Sequence, residues 1–358
     1  MSCFALYRLP HSTEAVRLTQ TAGRPDSLQS YTDLSGREGF VFAPFTPSAD
    51  CPILIIHPDR RETISLDTLA DCSAEAMRQM PHSEEGRESY AKDFNTFHER
   101  LCSGEYSKLV LARHASERCA ERVDAEGLFI RACQLYPRMF VALVSTPESG
   151  TWLMATPEIL LEGRGDAFAT MALAGSQRLE DSQLGFDTPG CDPDTTNISW
   201  DEKNIEEQQY VASYIKERIG SFADDIRQHG PYTARAGRIV HLRTDFRFTL
   251  RDIGHIGRVI DTLHPTPAVC GIPKDKARRF IIENETGHRL YYSGFCGPLC
   301  LGDETHLYVS LRCMEIKSEM FVLYAGGGLL DKSEERHEWE ETQYKMDTMR
   351  LVINSKQS

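Results

Sequence analysis

The sequence lacks the features that mark several large classes of protein. Its 11 cysteines include no CxxC pair and no metal-finger spacing, and their total is odd. No apolar run approaches the roughly 18 residues that a membrane-spanning helix needs, and residues 1–18 hold no apolar core of signal-peptide length. A GxGxxG after a first strand and a Walker A sequence are also absent, which leaves nucleotide binding without positive support. We therefore expect a soluble cytoplasmic protein with reduced thiols.

The chain also has fewer positive than negative residues: it contains 40 Lys and Arg and 53 Asp and Glu, which gives a net charge of −13. Such an acidic body argues against binding to nucleic acid or to an acidic membrane surface. An anionic ligand would need a local basic pocket or a metal centre. With 358 residues, of which 41% are hydrophobic, the chain can bury a sizeable core as two average domains or one large unit.

Hydrophobic patterns predict many strands with helices between them. Residues 90–101 and 202–228 have the apolar spacing of amphipathic helices, and residues 180–200 are predicted to form a long surface loop. The strands are joined mostly by hairpins, without a regular βαβ rhythm. This favours an α+β (mixed α/β) fold in which stacked, largely antiparallel sheets are covered by outer helices. In the second half of the chain, strands are predicted at residues 238–242, 246–250, 290–295, 307–311 and 321–325.

The stretch 321–345 combines a strand, a glycine run and an acidic helix. The strand is predicted to turn through glycines 326–328 before the helix begins. On that helix Glu338, Glu341 and Lys345 are spaced i, i+3 and i+7, so they project from one face. Two carboxylates one turn apart can hold a hard divalent cation, and a lysine beside them can meet an anionic substrate. A solvated charged helix is the alternative interpretation.

Five further residues are candidates, and each also has a purely structural interpretation. Lys108 stands at the mouth of a strand, where a surface charge is the ordinary case. Glu158 follows a proline bend and could cap a helix, whereas Glu207 could be a charge on a helix face. His241 could be a core histidine whose hydrogen bonds are satisfied. Arg312 interrupts a strand of buried character, so it needs a partner or a ligand.

Nine motifs in order resemble those of one superfamily. On these residues the chain resembles the chorismate-utilising enzymes, which include isochorismate, salicylate, anthranilate and aminodeoxychorismate synthases. The resemblance implies antiparallel sheets stacked on each other with helices outside. The motifs are SKLVLARH (107–114), WLMATPEILL (152–161), ALAGSQR (172–178), DEKNIEEQQYV (201–211), VHLRT (240–244), HPTPAVCGIP (264–273), YYSGFCG (291–297), YVSLRC (308–313) and the stretch 321–345.

The resemblance covers the chain unevenly. It runs from about Tyr106 to the C-terminus, so residues 1–85 are interpreted as a weakly matched N-terminal part of the fold. Residues 86–358 are interpreted as the chorismate-binding catalytic domain. The two parts are expected to form one continuous structural unit.

Two positions separate the reactions within the superfamily. At position 108 the chain has a lysine, and in this it resembles the members that use water as the nucleophile. Ala174 stands where aminodeoxychorismate synthases carry a lysine. The pair resembles the isochorismate synthases, which add water at C2 of chorismate and remove the C4 hydroxyl. This implies a Mg²⁺-dependent isomerase without a glutamine amidotransferase subunit, with menaquinone biosynthesis as the expected pathway. Salicylate synthase, a siderophore-pathway isochorismate synthase and a catalytically silent binding subunit are the alternatives.

The resemblance also implies a role for each site residue. Glu158 must be protonated to act as an acid, so its pKa is expected to be raised. Two departures from the family pattern are Asn204, where some members have an acid, and Gly327, where alanine is common; the first predicts weaker metal binding. The implied catalytic residues are Lys108 (base), Glu158 (acid) and His241 (beside the ring), the substrate contacts are Gly175, Ala268, Arg312, Gly326, Gly328 and Lys345, and the Mg²⁺ ligands are Glu207, Glu338 and Glu341.

Overall fold

Two nine-stranded antiparallel sheets form the body of the protein. The computed structural model describes residues 3–66, 82–119, 123–179, 183 and 198–354. Elements are numbered in chain order. In spatial order the first sheet comprises β14 (Gly271–Ile272), β7 (Lys108–Arg118), β18 (Met320–Leu329), β17 (Cys313–Ile316), β9 (Gly150–Thr156), β8 (Phe140–Thr146), β1 (Cys3–Arg8), β2 (Glu14–Gln20) and β6 (Arg60–Ser65).

The second sheet has the same number of strands. In spatial order they are β12 (Ala223–Ala236), β13 (Ile239–Leu250), β11 (Ala167–Arg178), β10 (Ile159–Arg164), β16 (Glu304–Val309), β15 (Phe295–Leu299), β4 (Gly39–Ala43), β5 (Ile53–Ile56) and β3 (Asp26–Leu28). The helices are α1 (Arg87–Cys102), α2 (Ala125–Leu135), α3 (Glu202–Ile219), α4 (Ile256–Leu263), α5 (Lys274–Asn284) and α6 (Glu335–Asn354).

The main core lies between the two sheets. Phe140 of the first sheet stacks on Tyr308 of the second with ring centroids 4.3 Å apart, and Trp152 contacts Phe42 edge-on. The outer face of the first sheet packs on α2 and α6, whereas that of the second packs on α3 and α4. Helices therefore cover stacked antiparallel sheets, and the predicted fold class is confirmed. None of the described helices is both long and apolar enough to cross a bilayer.

Strands from residues 3–65 extend both sheets. In the first sheet β1 pairs with β8 and β2, and in the second β4 pairs with β15 and β5. This part of the chain therefore contributes to the same two sheets as the later residues. The division at residue 85 stays a prediction.

Several predicted elements need correction. The helix predicted over 202–228 ends at Ile219, because Gly220 closes its last turn and β12 then pairs with β13. The strands predicted at 238–242 and 246–250 are one continuous strand, β13. The strand predicted at 290–295 begins only at its last residue, since Leu290 and Ser293 have positive φ angles of 50° and 61°. Most of the loop predicted at 180–200 lies outside the described residues.

An arginine and a tryptophan fix α6 against the first sheet. The Arg113 guanidinium of β7 lies 3.7 Å from the Trp339 ring centroid, and its Nε donates to the Thr342 hydroxyl at 2.7 Å. Tyr90 of α1 meets the same tryptophan ring edge-on. These contacts hold α6 where its neighbouring residues, Glu338 and Glu341, approach the glycine run of β18.

Candidate active site

The glycine run forms part of a strand and not a turn. Residues 325–328 continue β18 and pair with β7, with Gly326 opposite Ala112 and Gly328 opposite Val110. The prediction of a turn was wrong because the partner strand lies more than 200 residues earlier in the chain, where local sequence gives no sign of it. The absence of side chains here serves close approach and not chain reversal.

Gly328 is required by the space that its neighbours occupy. A Cβ at this position would lie 2.1 Å from Oε1 of Glu207 and 2.9 Å from Cε of Lys108. At Gly327 a Cβ would lie 3.0 Å from Oε2 of Glu338. The bare strand thus lets carboxylates from α3 and α6 reach the first sheet.

Three glutamates and three lysines meet around these glycines, and we call the six residues the glutamate–lysine cluster. Glu207 lies 2.9 Å from the Lys108 ammonium, and Glu341 lies 2.6 Å from that of Lys345. Glu338 accepts a hydrogen bond from Lys203. Lys345 also donates to the Gly326 carbonyl at 2.9 Å. Each carboxylate therefore has its own cation.

The lysines change the ionisation of the buried carboxylates. Burial raises the pKa of Glu207, but the ammonium groups of Lys108 and Lys203 more than offset this, and the net shift is downward. Burial raises the pKa of Glu338 to about 7 although Lys203 lowers it, and the charge of Glu341 adds to the rise. Two carboxylates of one cluster are thus shifted in opposite directions.

The carboxylates fit the predicted divalent cation in their chemistry. No three metal-ligand side chains converge at one point among the described residues, and each of the three glutamates contacts a lysine. Oε2 of Glu338 is buried, however, and has no hydrogen-bond partner within the described part of the chain. Carboxylate oxygens are the ligands that Mg²⁺ prefers, and Mg²⁺ takes few of them. Glu207, Glu338 and Glu341 are suited to hold it, and their role stays a prediction.

Asn204, the predicted departure from the family pattern, has structural hydrogen bonds to its neighbours. Its Oδ1 accepts a hydrogen bond from the Ser176 N–H at 2.9 Å, and its Nδ2 donates to Asp201 at 2.8 Å. The residue therefore positions the end of β11 on α3.

Glu158 is a buried carboxyl group that is suited to donate a proton. Only 2% of it is exposed, and the Thr266 hydroxyl donates to its Oε1 at 3.1 Å. Burial raises its pKa to about 7, although the hydrogen bond from Thr266 and the charges of Lys108 and Lys345 oppose the rise. The direction is the one that an acid near neutral pH needs.

Arg312 and His241 form a buried pair. The Arg312 guanidinium donates from Nη1 to the Ala236 carbonyl at 2.9 Å and from Nη2 to Nε2 of His241. Because arginine can only donate, Nε2 is the acceptor and Nδ1 carries the proton, which it donates to the Gly175 carbonyl at 2.8 Å. Burial lowers the pKa of His241 well below its usual value, and Arg312 and Lys345 add to this. The imidazole is therefore neutral and holds the guanidinium in place.

A single cavity collects most of the predicted residues. Lys108, Glu338 and Glu341 do not line it, but Lys108 contacts Glu207 and Glu341 contacts Lys345. Tyr292, Tyr324 and Leu173 also line the cavity and were not predicted, since an aromatic or apolar residue in a strand has the ordinary signature of a core position. The predicted residues that line it are Glu158, Gly175, Glu207, His241, Ala268, Arg312, Gly326, Gly328 and Lys345.

A more open cleft lies elsewhere on the molecule. It is lined by charged residues of the second sheet, among them Arg164, Arg227 and Arg247, and it contains none of the predicted residues. The chemistry described above is confined to the cavity beside the glutamate–lysine cluster.

The sequence model of the family described as chorismate binding enzyme matches residues 52–354. The chain belongs to this family. Its match to isochorismate synthase MenF of Escherichia coli (strain K12) is 28% identical over 260 residues and covers 71% of this chain and 57% of that protein. The vibriobactin-specific isochorismate synthase of Vibrio cholerae is 26% identical over 324 residues, which cover 87% of this chain and 78% of the relative.

Solved structures show the same fold. The crystal structure of a putative 2,3-dihydroxybenzoate-specific isochorismate synthase, DhbC from Bacillus anthracis, has a TM-score of 0.79 at 20% identity and covers 99% of this chain and 97% of that one. The menaquinone-specific MenF of Escherichia coli has a TM-score of 0.78 at 21% identity, with coverage of 98% and 89%. In sequence, the matched region spans only 57% and 62% of the lengths of the MenF and EntC proteins of Escherichia coli.

The close approach at Gly328 gives a first prediction. Gly328→Ala should lower the free energy of unfolding of the protein by about 1–3 kcal/mol, because the new methyl group must displace the Glu207 carboxylate or the strand. Gly220→Ala is the matched control, since its Cβ would meet the nearest described atom at an ordinary 3.4 Å. Urea unfolding of the two variants and the wild type measures the difference. Equal unfolding midpoints for Gly328→Ala and the wild type would show that the site accommodates a methyl group at position 328 without strain.

Proposed function

We propose that the protein is a cytoplasmic, Mg²⁺-dependent isochorismate synthase, an isomerase that converts chorismate to isochorismate. Membership of the chorismate binding enzyme family supports the substrate, and relatives named isochorismate synthase support the reaction. The observation that carries the proposal is a lysine and a carboxylic acid beside one cavity, Lys108 and Glu158, of which the acid has a pKa of about 7.

The reaction needs one proton acceptor and one proton donor. Water attacks C2 of chorismate and gives a proton to Lys108, the ring double bonds shift, and the C4 hydroxyl leaves as water with the proton of Glu158. The Lys108 nitrogen that would accept this proton lies 2.9 Å from Oε1 of Glu207. Release of Lys108 from Glu207 is therefore part of the proposed activation. The general acid and the general base are each expected to accelerate the reaction by about 10²–10⁴-fold.

The two carboxylates of chorismate require separate cationic partners. Arg312 has donors left beyond those used by Ala236 and His241, and its planar fork suits a carboxylate. Lys345 also lines the cavity and donates a hydrogen bond to the Gly326 carbonyl. Mg²⁺ held by Glu207, Glu338 and Glu341 would supply positive charge for the ring carboxylate.

The pathway belongs to the same proposal. We assign the product to menaquinone biosynthesis, which the likeness to MenF supports. No nucleic acid, membrane or amidotransferase partner is part of this function.

Product analysis tests the reaction directly. The purified protein is incubated with chorismate and Mg²⁺, and the products are separated by chromatography. Isochorismate alone is expected. Salicylate with pyruvate would assign the chain to the salicylate synthases, and unchanged chorismate would indicate a silent homologue. Anthranilate or an aminated chorismate from ammonium salts would place it in another branch.

The pKa of Glu158 predicts the alkaline side of the pH profile. The acid must be protonated, and its pKa is raised from 4.5 to about 7, so it is competent below pH 7 and is lost as pH rises. We expect kcat/KM to fall about tenfold per pH unit above roughly pH 7. Glu158→Gln should lower kcat by about 10²–10⁴-fold and remove this limb of the profile. A variant with wild-type kcat would show that another group donates the proton.

Metal removal gives a further prediction. Dialysis against EDTA should abolish turnover of chorismate, and added Mg²⁺ should restore it, because the cation would hold the ring carboxylate of the substrate. Circular dichroism of the EDTA-treated protein checks that the fold survives. Undiminished turnover in EDTA contradicts the Mg²⁺ assignment while leaving the proton-transfer roles of Lys108 and Glu158 to be tested separately.

A further inference from the structure

Lys203 is the one cation of the glutamate–lysine cluster without a role in the proposed reaction. We infer that Lys203 is a resident counter-cation that neutralises Glu338 in the metal-free protein and has to be displaced when a divalent cation binds. The inference rests on the metal requirement in the proposed function and adds a residue that sets the affinity for the metal.

The position of Lys203 is that of a replaceable cation. Its side chain lies in the first turn of α3 and keeps 26% of its surface exposed, while its partner Glu338 is 1% exposed. Lys108, in contrast, is fully buried against Glu207. Lys203 can therefore swing into water without leaving a buried charge of its own, whereas Lys108 cannot.

The charges point to the same residue. All three glutamates of the cluster act electrostatically on the Lys203 ammonium, with Glu338 the strongest. Burying Glu338 as an anion without a cation beside it would be costly. One ammonium group therefore does in the metal-free protein what a divalent cation would do when bound.

Glu338 itself is only half satisfied by this arrangement. Lys203 donates to Oε1, and Oε2 has no hydrogen-bond partner among the described residues. A buried carboxylate oxygen without a partner is unusual and is the kind of ligand that a hard cation accepts. The free oxygen and the replaceable ammonium together indicate exchange of one cation for another.

Displacement of Lys203 also adjusts the charge of the cavity for its substrate. In the metal-free protein three ammonium groups balance three carboxylates. A divalent cation in exchange for one ammonium makes the cluster one charge unit more positive. Binding of an anionic substrate is then favoured by the bound metal.

The test measures metal binding without turnover. Lys203→Gln removes the charge, Lys203→Arg keeps it, and Lys216→Gln makes the same charge change at an exposed position of the same helix. Mn²⁺ binding to each protein is measured in the absence of chorismate by electron paramagnetic resonance and by calorimetry. Thermal unfolding without metal is recorded in parallel.

Lys203→Gln should bind Mn²⁺ about tenfold more tightly, because one competing positive charge close to the metal is gone. It should also unfold at a lower temperature than the wild type when metal is absent, since Glu338 then lacks its cation. Lys203→Arg and Lys216→Gln should have the wild-type dissociation constant. An unchanged or weaker affinity in Lys203→Gln, or an equal gain in Lys216→Gln, overturns the inference.

The same data separate this inference from the proposed function. If the wild type binds Mn²⁺ but Lys203→Gln binds it no better, the metal site of the proposed function is supported, and the claim that Lys203 competes with the metal is wrong. If neither the wild type nor any variant binds Mn²⁺, the metal site of the proposed function is itself wrong, and the inference fails with it.

Discussion

Three carboxylates beside one cavity, two of them buried, cannot all be charged unless cations lie beside them. Glu207, Glu338 and Glu341 come from two helices and meet at a strand that has no side chains to keep them apart. Each is neutralised by a lysine, one from β7, one from α3 and one from α6 itself. The arrangement of α3, α6 and the first sheet depends on this balance, because separating Glu207 or Glu338 from its lysine would leave a buried charge.

The glycine run of β18 provides the space in which the carboxylates and lysines can meet. A strand in the middle of a sheet normally presents side chains to both faces. Here β18 keeps its hydrogen bonds to β7 but offers bare backbone at three successive positions. Carboxylates can then approach a lysine that projects from the neighbouring strand. Loss of side-chain packing in the strand is offset by contacts such as that between Arg113 and Trp339, which hold α6 in place.

The sequence was most informative where a pattern is local. The i, i+3, i+7 spacing correctly put Glu338, Glu341 and Lys345 on one face, and apolar spacing gave α1. Prediction from the sequence failed where the partner strand is distant. The glycines were predicted to form a turn because their pairing with β7 cannot be seen locally. The helix α3 was extended into β12 for the same reason, since β12 pairs with β13. Lys203 was missed because its partner lies 135 residues away, so alone it resembles any charge on a helix face.

Burial alone does not decide how the acids of this cavity ionise. Glu158 and Glu207 are both buried, yet the pKa of Glu158 is raised to about 7 while that of Glu207 is lowered. The difference lies in their immediate partners, since Glu207 has an ammonium at 2.9 Å and Glu158 has a neutral threonine hydroxyl at 3.1 Å. The environments thereby favour the anion at Glu207 and the protonated acid at Glu158, as the proposed roles in cation binding and proton donation require. Burial therefore decides the ionisation of Glu158, where no ammonium lies as close, whereas the Lys108 ammonium reverses the effect of burial at Glu207.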